Sequence, residues 1–306
     1  MTFRDREKQR YEKIKPKYFS TAAQEPGTYK DKPRPFCLAD GHSAENLHES
    51  IRSEAIEYFE QRKIPWHDGT SSGDRGQKNL PSNHLCCSQT MCVNFLFPTV
   101  RDEEFSKDVF INFFPDLSEI LPFYADESLS DGTKPFLAFE WIGTRNYLGE
   151  TSWGTRGANC TSADFAFRFK RNDEKIQLVL GEWKYTEEYK NRKLPAPEEI
   201  NPTQYRVYKK AFEDWEKSNP NLPPYESFFV EPFYQFMRQT LLAREMEKAK
   251  ETDKAIEKES KANILLAPFK AFTFDSYGEM DADIVSTLHI SPGANDDFAN
   301  SFTSPV

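Results

Sequence analysis

The chain has 306 residues, 38% of them hydrophobic and 14% aromatic, with a formal net charge of −9. That size and apolar content suffice for a buried core and exclude a disordered chain. No run approaches the ~18–20 apolar residues of a membrane span, and the acidic balance excludes a protein that coats nucleic acid through bulk positive potential.

The first 19 residues carry seven Lys/Arg against three Asp/Glu and contain no apolar signal-like run, so secretion is not expected. Residues 1–43 are expected to form a charged arm that wraps the surface or frays. A helix is predicted over 44–62, where Leu47, Ile51, Ala55 and Phe59 recur at four-residue spacing. Residues 68–80 are Gly/Ser-rich and read as a loop, after which Ser82 is expected to cap a helix over 83–97. Together, 44–130 is expected as a helical part packed on a core over 131–275.

Within that core, FLAFEWI at 136–142 reads as a strand between Lys-Pro and Gly143, followed by a Gly-rich loop at 149–160. Strands are expected near 164–169 (DFAFRF) and 176–184 (IQLVLGEWK), joined by a hairpin-forming KRNDEK. Asn201-Pro202 has the cap-then-proline signature of a helix start, with Tyr205, Tyr208, Phe212 and Trp215 as its apolar stripe. A longer helix is predicted over 232–260, a strand over 264–274, and a tail over 276–306. Helices alternating with strands in this order imply an α/β class with a mixed sheet flanked by helices and an N-terminal helical extension. Five cysteines, with Cys86 and Cys87 adjacent, do not form a disulfide framework, and a reducing cytoplasm is the expected setting.

The chemistry-bearing residues gather at the predicted hairpin. If Phe169 lies opposite Ile176, antiparallel register puts Asp164 opposite residues 181–182. Glu182 and Lys184 share a strand parity and lie on one face about 7 Å apart. The strand before them is apolar on both faces, as in a strand covered by helices. Two carboxylates and an ammonium at the edge of a dry core are costly unless paired or bound to a cation, and oxygen donors suit Mg²⁺ or Mn²⁺. Glu-x-Lys itself is weak, since it recurs at Glu188 and Glu259. Only the Glu182 copy ends an apolar strand and faces an aspartate. The bland reading is a structural Glu–Lys pair with an unrelated aspartate.

Asp164 followed by Glu182-Trp183-Lys184 resembles the PD-(D/E)xK nuclease superfamily, with its restriction-endonuclease-like fold. The segments RGANCTSADFAF, VLGEWKYTE and EPFYQFMRQTLLA are similar to a group of bacterial restriction-endonuclease-like proteins, over roughly residues 45–270. Ala163 stands where the motif's proline would precede the aspartate. The resemblance implies a DNA nuclease with Asp164, Glu182 and the Trp183 carbonyl as metal ligands and Lys184 orienting the attacking water. It also implies a further glutamate, for which Glu150 is favoured over Glu140. On the helix after Glu231, Gln235, Arg238 and Gln239 share a polar sector that the resemblance places near nucleic acid. Lys209 and Lys210, with Lys190, Arg192, Lys193 and Arg206, form a basic cluster suited to a groove. His84, Cys86, Cys87 and Cys92 invite a zinc reading, but adjacent cysteines on a helix point apart, which favours core roles.

The expected function is therefore a divalent-metal-dependent nuclease hydrolysing phosphodiester bonds of DNA, tied by the resemblance to restriction or defence, with a homodimer admitted. The rivals are a catalytically inactive nucleic-acid-binding module of the same fold and a hydrolase of another phosphodiester.

Overall fold

The computed structural model describes residues 1–70, 79–124, 128–150, 160–189, 195, 199–262 and 282–302, with the backbone alone at 251–262 and 302. The chain divides into two compact units. One comprises Met1–Pro98, Glu182–Lys193 and His289–Val306, the other Thr99–Gly181 and Leu194–Leu288.

In the first unit, the residues expected to wrap or fray begin with a helix, α1 (Phe3–Tyr18). A capping box starts it: Thr2 accepts the Asp5 N–H while Asp5 accepts the Thr2 N–H. Tertiary anchoring completes it. The Lys15 ammonium is buried and donates to the carbonyls of Glu25, Pro35 and Cys37, and the Phe3 N–H donates to Asp297 at 2.6 Å. After the short hairpin of β1 (Gly27–Tyr29) and β2 (Lys32–Arg34), α2 (Arg52–Gln61) starts eight residues later than the periodicity predicts. Residues 43–46 form a 3-10 turn instead, held by the Asn46 amide donating to the carbonyls of Ser82 and His84. Helix α3 (Ser88–Leu96) is also late, with Cys87 rather than Ser82 at its N-cap. Backbone pairing keeps 83–85 out of the helix: the Leu38 N–H donates to the Asn83 carbonyl and the Leu85 N–H to the Phe36 carbonyl, and the Cys87 N–H then closes a turn on the His84 carbonyl.

The second unit contains α4 (Glu103–Phe110), β3 (Leu117–Leu121), β4 (Leu137–Trp141), β5 (Ala163–Arg171), α5 (Pro202–Ser218) and α6 (Phe233–Ala262). With β6 (Ile176–Trp183) and β7 (Ile284–Ile290), the strands form a five-stranded sheet ordered β3-β5-β6-β7, and β4 also pairs with β5. Strands β3 and β4 share one edge of β5 end to end, at 168–171 and 163–167, and both are antiparallel to it. β7 runs parallel to β6, since the Asp283 N–H donates to the Ile176 carbonyl and the Lys184 N–H to the Ile290 carbonyl. The sheet is mixed and flanked by helices, as the element order implies.

The period-2 pattern of β5 explains how it is covered. Phe165, Phe167 and Phe169 share one face, where Phe110 of α4 stacks on Phe167 at 3.9 Å and Phe114 meets Phe169 at 5.3 Å. On the other face Ala166, Leu178 and Leu180 join Tyr208 and Phe212 of α5 and Met237 and Leu241 of α6 in one buried cluster. Helix α5 begins as its signature requires, with the Asn201 side chain accepting the N–H groups of Thr203 and Gln204 and Pro202 in the first turn. The strand expected at 264–274 lies outside the described residues. Residues 276–306, expected as a tail, supply β7 and a short helix, α7 (Asp296–Ala299).

Candidate active site

Hairpin register decides which residues end up side by side. Lys170 pairs with Ile176 and Phe169 with Gln177, one residue from the expected register. The ladder runs to Phe165 opposite Gly181, so Asp164 and Glu182 are the next residues beyond the last pair on their strands. Glycine at 181 is what Phe165 demands: a Cβ there would lie 2.2 Å from the Phe165 ring, itself fully buried. On the opposite edge of β5, Phe139 pairs with Phe165 and Trp141 with Ala163, which sets Glu140 opposite Asp164. Glu140 has φ of +48°, a left-handed backbone that is strained for a residue with a side chain. Of the two glutamates considered upstream, the register thus puts Glu140 beside the aspartate.

Glu182 and Lys184 form an ion pair, with Lys184 Nζ 2.5 Å from Glu182 Oε1 and the two side chains only 12% and 8% exposed. Either charge alone would be expensive at that burial, so each stabilises the other's presence. Lys184 is fixed further by its N–H bond to the Ile290 carbonyl at 2.8 Å, and the Trp183 carbonyl accepts the Ser88 hydroxyl at 3.2 Å. One lone pair of that carbonyl is therefore taken. Burial, aided by the Lys184 charge, pushes the His289 imidazole down to about 4, so it is neutral at pH 7. Ser88 and His289 carry no motif and were not marked by the sequence.

Glu150 has another occupation. It is 5% exposed and accepts the Thr161 N–H at 2.8 Å and, at 2.6 Å each, the hydroxyls of Thr161 and Tyr208. Arg238 lies 3.5 Å from the same carboxylate and donates to the Thr161 hydroxyl at 3.0 Å. This network ties α5 and α6 to the start of β5. The polar sector proposed for α6 is accordingly divided. Gln239 is 2% exposed, which corrects its assignment to a nucleic-acid surface, while Gln235 is half-buried and Arg238 is committed to Glu150. Lys209 and Lys210 are exposed on α5, whereas Lys190, Arg192 and Lys193 lie outside the described residues.

The cysteine-rich stretch is built as core. Cys86, Cys87 and Cys92 are buried, and burial pushes the Cys86 thiol up to about 12. His84 Nδ1 accepts the Cys86 N–H at 3.0 Å, and its ring sits edge-on to Tyr29 and Phe36. Among the described residues, no three His, Cys, Asp or Glu side chains are gathered closely enough to chelate a metal.

Residues 5–298 match the model of one protein family, the restriction endonuclease associating with ARP (REase-ARP). The chain belongs to this family. No curated protein and no solved structure matches the chain. Membership in REase-ARP covers both compact units and agrees with the mixed, helix-flanked sheet; the family's description points to a nuclease or defence-related role. Among the described residues no helix is long and apolar enough to cross a membrane.

Proposed function

We propose that this REase-ARP chain is a divalent-metal-dependent nuclease of the PD-(D/E)xK type that hydrolyses phosphodiester bonds of DNA. One observation carries the reading: the β5–β6 ladder ends at Phe165–Gly181, leaving Asp164 and Glu182 as the next residue on each strand, with Lys184 ion-paired to Glu182. The donor set fits a hard cation. It consists of two carboxylates and the Trp183 carbonyl, which also accepts the Ser88 hydroxyl. A bound cation would supply charge neutralisation at the phosphate and a water of lowered pKa.

The chain's own residues supply the rest. Glu182 holds the Lys184 side chain in place, and the Ile290 carbonyl holds its backbone, so the ammonium is aimed without a reorganisation cost at the moment of reaction. From there it donates to the oxygens of the scissile phosphate and orients the attacking water. Water adds to phosphorus as the leaving oxygen departs, and the increased negative charge is met by Lys184. Exposed Lys209 and Lys210 on α5 contribute phosphate contacts that carry no base information. The tight Glu182–Lys184 pair also supports a second reading, a nucleic-acid-binding module without turnover.

The test is incubation of supercoiled plasmid with Mg²⁺ or Mn²⁺. Wild type should nick or linearise DNA only with metal, and Lys184→Ala should lose about 100-fold or more. DNA retention in gel shifts without any cleavage would favour the silent module. Full activity in Lys184→Ala would overturn the assignment.

A further inference from the structure

The first unit holds a cavity of about 430 Å³ that the proposed chemistry does not use. By strand parity Trp183 and Tyr185 face away from Glu182 and Lys184, and both line this cavity. Phe3 and Tyr11 of α1 and Phe95 of α3 add three more rings. Phe95 is 62% exposed, with its ring 5.4 Å from that of Trp183, which leaves an aromatic face at the mouth. A volume of this size accommodates a small molecule with a flat ring system.

Polar groups are sparse and specific. Glu7 is buried, and its Oε2 accepts both the Tyr185 hydroxyl, at 2.5 Å, and Arg10, at 3.2 Å. Its Oε1 has no partner among the described residues. Burial pushes the Tyr11 phenol up to about 12, so it is a neutral hydrogen-bonding group, and the Tyr185 hydroxyl lies within hydrogen-bond distance of it, at 3.2 Å. Beyond the mouth, Arg6, Arg10 and Lys13 recur at helical spacing on α1 and line an adjoining cavity of about 300 Å³.

Aromatic walls around a carboxylate can take either a cation or a base with ring N–H donors. The three cations at the rim disfavour a cationic ligand and favour one with an anionic end. We infer that this cavity binds a nucleotide, its base stacked on the aromatic face that the Phe95–Trp183 pair presents and reaching Glu7, its phosphate on Arg10 and Lys13. A carboxylate oxygen selects a base that presents an amino group beside a ring N–H, as guanine does. Uracil would turn carbonyls towards it. The nucleotide can come from solution or from an unstacked position in a strand, and the chemistry is shared.

The experiment is isothermal titration calorimetry on the full chain in EDTA, so that its outcome is independent of cleavage. GMP, UMP, tetramethylammonium and a short guanine-containing single-stranded oligonucleotide are the titrants. GMP or the oligonucleotide should bind one per chain, with UMP about tenfold weaker. Whichever binds tighter identifies the source. Phe95→Ala, a change at an exposed position, should weaken binding about tenfold. Glu7→Gln should narrow the gap between GMP and UMP. Absence of binding by both nucleotides and the oligonucleotide, binding unchanged in Phe95→Ala, or preference for tetramethylammonium would overturn the inference.

Discussion

At the scale of single residues, Glu140 and Glu150, the two glutamates nearest before Asp164, have different work. Glu150 accepts three hydrogen bonds and stands against a largely buried arginine. Removing it leaves Arg238 without its counter-charge, so Glu150→Ala should cost about 3–5 kcal/mol in urea unfolding. Adding Arg238→Met should recover part of that loss. Glu140, set opposite Asp164 on a left-handed backbone, should behave in the opposite way. Glu140→Gln should leave the unfolding midpoint near that of wild type and lower plasmid cleavage by about 10- to 100-fold. That Asp164 and Glu182 end neighbouring strands, with Lys184 beside Glu182, was legible because the signal is local: strand parity and one hairpin. The separate placement of Glu140 and Glu150 was not, because the partners of Glu150 come from positions 161, 208 and 238, which no spacing rule connects.

At the scale of elements, the β5–β6 hairpin is the part most fully written in the chain, and its register rests on a size match. Phe165 lies over Gly181, and any added side-chain atom would meet the ring. Gly181→Ala should destabilise the protein by about 1–3 kcal/mol through overpacking, and Phe165→Leu in the same chain should restore part of it. A double-mutant cycle by thermal unfolding checks this; additive losses would mean the two sites do not meet. The α5 start was equally legible, since Asn201-Pro202 acts through neighbours two and three residues away. Helix starts at 52 and 88 were not legible. There the Asn46 amide and the backbone of 82–86 are held by distant partners that override an apolar periodicity continuing through them. Similarly, the charged composition of residues 3–18 gave no hint of the carbonyl cluster that captures Lys15.

At the scale of the whole molecule, the net charge of −9 means that any hold on DNA is local and salt-sensitive. With Ca²⁺ in place of Mg²⁺, fluorescence anisotropy should show DNA binding without cleavage. Reversing Lys209 and Lys210 to Glu should weaken that binding for all sequences alike and make the slope of log K against log salt shallower by about 2. Unchanged affinity would place the groove elsewhere. The composition announced the acidic balance and a large aromatic core, and the order of elements announced a mixed sheet. It did not mark β7, although IVSTLHI is of strand type, because polar segments flank it on both sides and its partner strand lies about a hundred residues earlier.

That late strand has a consequence for biogenesis. Ile176 at the start of β6 is tied to Asp283, 107 residues further on, and Lys184 at its end is tied to Ile290. Phe3 in turn waits for Asp297, 294 residues away. During synthesis on the ribosome, the strand bearing Glu182 and Lys184 therefore emerges long before the neighbour that fixes it. Closing such distant contacts is entropically slow, and the unpaired strand edge is a site for association with other nascent chains until it is covered. The same delay means that the Glu182–Lys184 segment acquires its backbone anchor only after Ile290 has been made.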